Sequence, residues 1–322
     1  MELLILSHAP TRILEQGFIP AAIDLQLNVT ILTDCVSEHL ARANGSPLYS
    51  QCKLIECDVF NPLAVARFVS VHGGEFSGVL AGDAALRASA AIMADYLRLP
   101  GPSWRGAVLC DQRLDLSKRF DSPALEQRRR IINCYEQDAD LASDWFPATV
   151  QPLETGATTG GAIVREPEDL KRRLADLRYG YALVERHREN DQVYALDALG
   201  SSGGITVLCG SRIAFDDDEV RTKRVQSFMP RPPRCDELLT LLSGFELGLG
   251  RHHVEYAVAD NGIRIREIHN GLHDDDSEFT LDDQLDGNLF SETIKASVGM
   301  PVKALRLLHV DAMPAAVLDA SV

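Results

Sequence analysis

The sequence predicts an α/β fold that passes into α+β: a doubly wound parallel α/β domain, then a pair of α+β subdomains ending in an antiparallel sheet. Three observations carry this prediction. Short apolar runs alternate with helical stretches up to about residue 100, the pattern of a parallel sheet with crossover helices. Pro100-Gly101-Pro102-Ser103 then punctuates the chain, as Pro/Gly clusters do between structural units. Further on, β-rich runs are joined by short links, and the last two flank Asn261-Gly262, a strong short-range hairpin signal.

The elements follow in order. Leu3-Leu4-Ile5-Leu6 opens as a buried strand, with a helical stretch over 13–27. Strands follow at 29–34 and 53–59. Asn61 caps a helix that Pro62 starts, because the N–H that proline lacks has no helical partner at that position. A short strand at 78–82 leads into an Ala-rich helix over 84–97. No Gly-x-Gly-x-x-Gly follows the first strand, so no dinucleotide site is expected there. Residues 104–140 read as helical, with the basic triplet of Glu126-Gln127-Arg128-Arg129-Arg130 as a solvated face or a phosphate contact. A strand at 147–152, a Gly/Thr loop at 154–161 and a strand at 162–164 precede a helix from Pro167 to Leu177. Strands at 181–185, 193–199, 205–208 and 212–215 follow, the last three antiparallel by their short links. Asp216-Asp217-Asp218-Glu219 is an exposed hairpin tip. Helices at 236–247 and 285–298 bracket the final hairpin. The domains this implies are 1–103, 104–184 and 185–322.

Whole-chain properties narrow the function classes. With 322 residues, 45% hydrophobic, the chain can bury a large core and form two or three domains. A net charge of −15 repels nucleic acid and anionic membranes, so neither is expected as a partner. The N-terminus lacks a basic region and a long apolar segment, so it reads as a strand and not a signal peptide. No apolar run reaches membrane-spanning length, and a cytoplasmic location is expected. The seven cysteines are scattered without a Cys-x-x-Cys pair, so neither a zinc site nor a disulfide framework is expected. They read as small buried hydrophobes.

The hairpin carries the strongest chemical signal. A three-residue loop, Asp260-Asn261-Gly262, pairs Ala259 with Ile263 and sets Glu255 opposite Glu267 on one face. Like charges directly opposite destabilise a ladder, so solvent, an arginine or a cation must compensate them. Two carboxylates with the neighbouring amide of Asn270 suit a hard cation such as Mg2+. The plain alternative is two solvated carboxylates, and a two-residue turn would place them on opposite faces.

This order of elements resembles the ATP-grasp superfamily of carboxylate–amine and related ligases over most of the chain. Leu99-Pro100-Gly101-Pro102-Ser103 is similar to the junction after that family's N-terminal domain. Val150-Gln151-Pro152 and the Gly/Thr loop are similar to its phosphate-covering strand and loop. His253-Val254-Glu255 and Arg266-Glu267-Ile268-His269-Asn270 are similar to its two magnesium-bearing strands. The resemblance implies ATP and Mg2+ as cofactors and small-molecule carboxylate and amine substrates. It leaves a homo-oligomer open. It assigns Gln112, Gln151, Gly156, Thr158, Thr159 and Gly160 to the phosphates, Val184 and Glu185 to the base, and Gln192 to the ribose. Glu255, Glu267 and Asn270 would hold the metal. Arg224, within Arg221-Thr222-Lys223-Arg224, would meet substrate or phosphate, and His269 would serve as a softer metal ligand, a general base or a satisfied polar side chain.

The departures fall on the nucleotide contacts. Asp111-Gln112 stands where the family carries Asp-Lys, Gln151-Pro152 where it carries Lys-Pro, and Gln192 where it carries a glutamate. Glutamine donates and accepts hydrogen bonds but supplies no cation to a polyphosphate. Lys118 lies six residues beyond Gln112, an offset that turns it away from the same helix face. Gly271 replaces a cation near the metal end, and His273-Asp274-Asp275-Asp276 is a solvated loop or an added cation site. Three functional readings therefore stand: an ATP-dependent ligase, a degenerate member acting as a non-catalytic binding or regulatory subunit, and a metal enzyme using Glu255, Glu267 and His269.

Overall fold

The computed structural model describes residues 1–72, 75–111, 129–135, 141–153, 162–177, 180–187, 192–218, 221–259, 262–271, 277–308 and 316–318. The first sheet is built from β1 (Glu2–Leu6), β2 (Asn28–Thr33), β3 (Lys53–Glu56) and β4 (Phe76–Ala81), all parallel, in the order β3-β2-β1-β4. Side chains alternate faces along a strand, and β1 shows why its sequence is apolar throughout. Leu3 and Ile5 enter one core with Leu14, Phe18, Ile19, Phe290 and Ile294. Leu4 and Leu6 enter a second with Val65, Val69, Ala90 and Met93. The second face is covered by α3 (Pro62–His72) and α4 (Arg87–Tyr96), which bracket β4 in sequence. The first is covered by a π-helical turn (Ile13–Phe18), α1 (Ile19–Asp24) and a helix from the far end of the chain. A helix α2 (Val36–Ala43), absent from the sequence expectation, links β2 to β3.

After α5 (Trp104–Asp111) the chain next appears as β5 (Arg129–Asn133), where the sequence predicted helix. The reason is tertiary. Ile132 is buried in a core with Val150 and Val184, and β5 pairs with β8 (Tyr181–Arg186). Edge pairing here outweighs the helical propensity of the charged segment. With β6 (Ala148–Pro152) and β7 (Ala162–Val164) these strands form an antiparallel sheet, order β5-β8-β6-β7. Helix α6 (Pro167–Leu177) covers one face through Leu170 and Leu174.

The third sheet has the order β13-β12-β9-β10-β11-β14. Its strands are β9 (Gln192–Ser201), β10 (Gly204–Asp218), β11 (Arg221–Met229), β12 (Gly250–Ala259), β13 (Gly262–Asn270) and β14 (Ala316–Leu318). The two strands expected at 205–208 and 212–215 are one 15-residue strand, β10, with a register shift between Val207 and Cys209. Helix α7 (Cys235–Ser243) ends at Gly244, short of the expected 247. Tyr194, Leu196, Val254, Tyr256, Ile265 and Ile268 pack one sheet face against Leu238 and Leu242 of α7. Helices α8 (Ser277–Asp282) and α9 (Leu289–Ser297) then return to the first sheet. A Cβ on Gly78 of β4 would lie 2.6 Å from the Ser297 carbonyl, so only glycine allows α9 this close. Among the described residues, no helix is long and apolar enough to cross a membrane.

Candidate functional site

Glu255 lies directly opposite Glu267, but by a route the sequence did not disclose. Ala259 pairs with Gly262, not Ile263, which on its own would set Arg266 against Glu255. The register then shifts between Glu255 and Tyr256: Tyr256 pairs with Ile265, and Glu255 with Glu267. Arg266 is the extra residue of a β-bulge, a device that re-aims side chains near functional sites. The buried positions record it, since Ile263, Ile265 and Ile268 all face the core, with one step of three in place of two.

The two carboxylates do not face each other alone. His253 and His269 are the next pair along the ladder on the same face, with ring centroids 6.0 Å apart. His269 Nε2 lies 2.9 Å from Glu267 Oε1, and His253 Nε2 lies 3.4 Å from Glu255 Oε1. Each glutamate thus has its own imidazole, which answers the like-charge problem from within the chain.

The imidazoles differ in state. Arg87, at the start of α4, sets Nη1 3.1 Å from His269 Nδ1. A guanidinium only donates, so Nδ1 accepts and Nε2–H donates to Glu267. Burial holds His269 below its ordinary pKa, against the pull of Glu267 and with the help of Arg87; it is neutral. His253 Nδ1–H donates to Asp197 at 2.6 Å. Burial alone would lower His253, but Asp197 and then Glu255 outweigh it and raise the imidazole to about 9. His253 is therefore a buried cation.

Asp197 organises this corner. It sits on β9 opposite His253 and accepts from Arg251 Nη2 at 2.6 Å as well. Burial raises its carboxyl, but Arg251 and His253 reverse that and hold it well below the usual range. Arg251, 2% exposed, also reaches Glu278 of α8 at 3.3 Å. A buried charge persists only when paired and hydrogen-bonded, and here two carboxylates share one guanidinium and one imidazolium.

The other expected site residues fall as follows. Asn270 is buried, donates from Nδ2 to the Leu247 carbonyl at 3.0 Å, and pairs with His252. As the next residue after His269 it occupies the opposite strand face, so the structure does not bring it to the two glutamates. Gln192 accepts from the Tyr194 hydroxyl at 2.7 Å and shares that residue's face. Val184 and Glu185 lie on β8, inside the second sheet between β5 and β6, with their backbone groups committed to the ladders. Glu185 accepts from Arg129 Nε at 2.5 Å. Gln151 is half-buried on β6 opposite Leu183. Arg224 pairs with Phe215 in the backbone register; its side chain lies outside what the structure describes, as do Gln112, Gly156, Thr158, Thr159, Gly160 and the His273–Asp276 run.

Sequence reasoning missed Arg87, Asp197, Arg251, His253 and Glu278. The available signal was Asp197, the one charge in the apolar run Val193-Tyr194-Ala195-Leu196-Asp197-Ala198-Leu199. A carboxylate in a fully buried strand needs partners, but nothing local named them.

Two carboxylates on one face fit a hard divalent cation. Glu255 and Glu267 are the pair that would hold it. Gln151, expected from the sequence at the phosphates, adds no charge there.

No protein-family model and no curated protein matches the sequence. Solved structures match almost its whole length. The L-amino acid ligase from Bacillus licheniformis superposes with a TM-score of 0.67 at 13% identity, over 94% of this chain and 75% of that one. N5-carboxyaminoimidazole synthetase from Staphylococcus aureus gives 0.66 at 13% identity, over 95% and 80%. Carboxyaminoimidazole ribonucleotide synthase from Aspergillus clavatus, complexed with ATP, gives 0.69 at 13% identity, over 94% and 79%. At these identities the likeness is one of fold.

Proposed function

We propose that this chain, which has the ATP-grasp fold, is an ATP-dependent ligase joining a small-molecule carboxylate to an amine through an acyl phosphate. One observation carries the reading: Glu255 and Glu267 stand opposite each other on a half-buried sheet face, on the fold's last hairpin. Fold alone does not set function, and this pair gives the fold a chemical centre.

In this reading Glu255 and Glu267 hold Mg2+, which when bound offsets charge on the transferred phosphoryl group. Asp197 fixes the ring of His253, and His253 in turn orients Glu255. His269, neutral and held by Arg87, donates to Glu267 and keeps that carboxylate aimed at the cleft. Gln112, Gln151 and the 156–160 loop cover the phosphates, Val184 and Glu185 flank the base, and Gln192 meets the ribose. Arg224 binds the substrate carboxylate or the phosphoryl group as a charge-assisted donor. Asn270 supports the metal strand from its other face. The location is the cytoplasm.

The test is thermal. Ligand at a hundred times its Kd stabilises a protein by about 2.7 kcal/mol, so millimolar Mg-ATP should raise the melting temperature. Glu267→Gln should remove the rise. Absence of any shift in the parent overturns the ligase reading.

A second reading has its own observation. Glutamines replace two expected lysines, and each glutamate of the pair already has an imidazole partner, His253 for Glu255 and His269 for Glu267. That combination favours a degenerate member, a non-catalytic binding or regulatory subunit. It predicts that the parent ignores Mg-ATP.

A further inference from the structure

A second cluster lies where β1 and β2 of the parallel sheet finish. His8 follows the end of β1, and Asp34-Cys35 follows the end of β2. His8 Nδ1 is 2.8 Å from Asp34 Oδ1 and 3.6 Å from Cys35 Sγ, and all three atoms lie within 4.8 Å of one another. In an open α/β sheet the carboxyl ends of the strands form the binding crevice, at the point where strand order reverses. That point here is between β1 and β4; the cluster stands beside it, over the ends of β1 and β2, tied across it by the His8 N–H to Asp83 beyond β4.

The geometry rules out a nucleophilic relay. A thiol–imidazole–carboxylate relay uses the two ring nitrogens separately, one for the nucleophile and one for the orienting acid. Here both Asp34 and Cys35 address the same nitrogen. Three different donor atoms within 4.8 Å of one another instead suit a shared metal ion. Tetrahedral bonds of ~2.1 Å to nitrogen and ~2.3 Å to sulfur set those atoms ~3.6 Å apart, the separation already present. Nitrogen and a carboxylate oxygen would sit ~3.4 Å apart, so Asp34 needs to withdraw by roughly 0.6 Å from its present 2.8 Å.

The surroundings fix the ligands without filling the fourth position. The His8 N–H donates to Asp83 Oδ2 at 2.9 Å, and the His8 carbonyl accepts from Thr33 Oγ1 and lies 3.1 Å from His39 Nε2. Thr33 Oγ1 also accepts from the Cys35 N–H. The Phe60 ring packs edge-on against the imidazole at 5.3 Å. His8 and Asp34 remain partly open, with side chains 46% and 31% exposed. Such outer contacts orient metal ligands, and three protein ligands with one open position are the arrangement of zinc sites that bind a further group.

We propose that His8 Nδ1, Asp34 and Cys35 Sγ bind a borderline divalent cation, Zn2+ foremost, leaving one coordination position for water or an anionic ligand. Binding moves the imidazole proton from Nδ1 to Nε2 and releases the Cys35 thiol proton to solvent. One thiolate and one carboxylate then neutralise the dication. Because only the thiolate binds a metal, loading releases a proton. Soft sulfur and imidazole donors disfavour Mg2+ and separate this site from the Glu255/Glu267 pair.

The test is Co2+ titration of the full chain under reducing conditions. The expected result is a thiolate-to-cobalt charge-transfer band at one equivalent, bleached by Zn2+ and unaffected by Mg2+. Cys35→Ser keeps the size of the side chain and should abolish the band, and His8→Ala should weaken binding by 100-fold or more. Cys57→Ala, which removes another half-buried thiol, should leave the band intact. A band that survives in Cys35→Ser, or no band in the parent, overturns the proposal. Melting curves of Cys35→Ser without metal should match the parent, which separates lost ligation from lost folding.

Discussion

Asp197 is one carboxylate between two buried cations, Arg251 and His253. Removing its charge takes the shorter of two carboxylate contacts from each, leaving Arg251 with Glu278 and His253 with Glu255. Breaking a buried ion pair from one side costs about 3–5 kcal/mol, so Asp197→Asn should lower the unfolding free energy measured in urea by up to that order. The same contacts give a pH signature. The folded pKa of His253, about 9, lies above an unfolded value of roughly 6.5. Its contribution is therefore complete below the unfolded value and disappears as pH rises through about 9. Asp197 is shifted downward, so its contribution is present above its unfolded value of ~3.9 and is lost only as pH falls toward its folded one. Between pH 7 and pH 9 the stability should decline, and His253→Ala should flatten that decline in urea titrations. Arg87 offers a separate check. It helps hold His269 down, behind burial as the leading cause, so Arg87→Ala should raise the His269 pKa in an NMR titration. An unchanged titration would show that the guanidinium does not govern that ring.

At the scale of elements, Gly248 joins the first interdomain segment to the last sheet. Pro102 bridges to Gly248, the Ser103 N–H points to the Leu247 carbonyl at 3.4 Å, and the Leu249 N–H donates to the Gly101 carbonyl at 3.1 Å. Gly248 has φ +77°, and a Cβ there would collide with backbone atoms of Pro102 and Ser103. Backbone cannot step aside as a side chain can. Overpacking costs about 1–3 kcal/mol, and the left-handed conformation adds about 1–2 kcal/mol, so Gly248→Ala should be clearly destabilising in urea. Pro100-Gly101-Pro102-Ser103 was readable as punctuation, yet its docking partner was not, because the two segments are far apart in sequence. The same division holds elsewhere. β1 was legible because a parallel strand buried on both faces is apolar at every position. β5 was not, because Arg129 and Arg130 follow a charged run and only the pairing with β8 makes them strand. The Glu255–Glu267 opposition matches the sequence expectation, but the turn assumed for it does not: Ala259 pairs with Gly262, and only the bulge at Arg266, illegible in the sequence, restores the opposition. A bulge leaves no composition signal unless it uses glycine.

At the scale of the molecule, the two ends of the candidate nucleotide cleft point in opposite directions. In the proposed reading, the metal end keeps both carboxylates and adds imidazoles, while the phosphate end would have Gln112 and Gln151 where the ATP-grasp pattern has lysines. A charge-assisted hydrogen bond is worth about 1.5–3 kcal/mol, so two losses weaken phosphate binding by about 3–6 kcal/mol, or roughly 10²–10⁴-fold. A cleft with its cations removed on one side can still bind ATP if Mg2+ carries the charge, since Glu255 and Glu267 remain. The double variant Gln112→Lys, Gln151→Lys measures that balance directly. If the parent is a working ligase that relies on its metal end, the variant should tighten Mg-ATP binding by less than the full 10²-fold in calorimetry, because the parent site has other contacts in place of the lysines. If the parent is a degenerate binding subunit, the parent shows no heat of binding and the variant gains it. A variant no better than a non-binding parent would mean that the lysine positions are not the phosphate end at all, and the nucleotide reading of this cleft would fall with them.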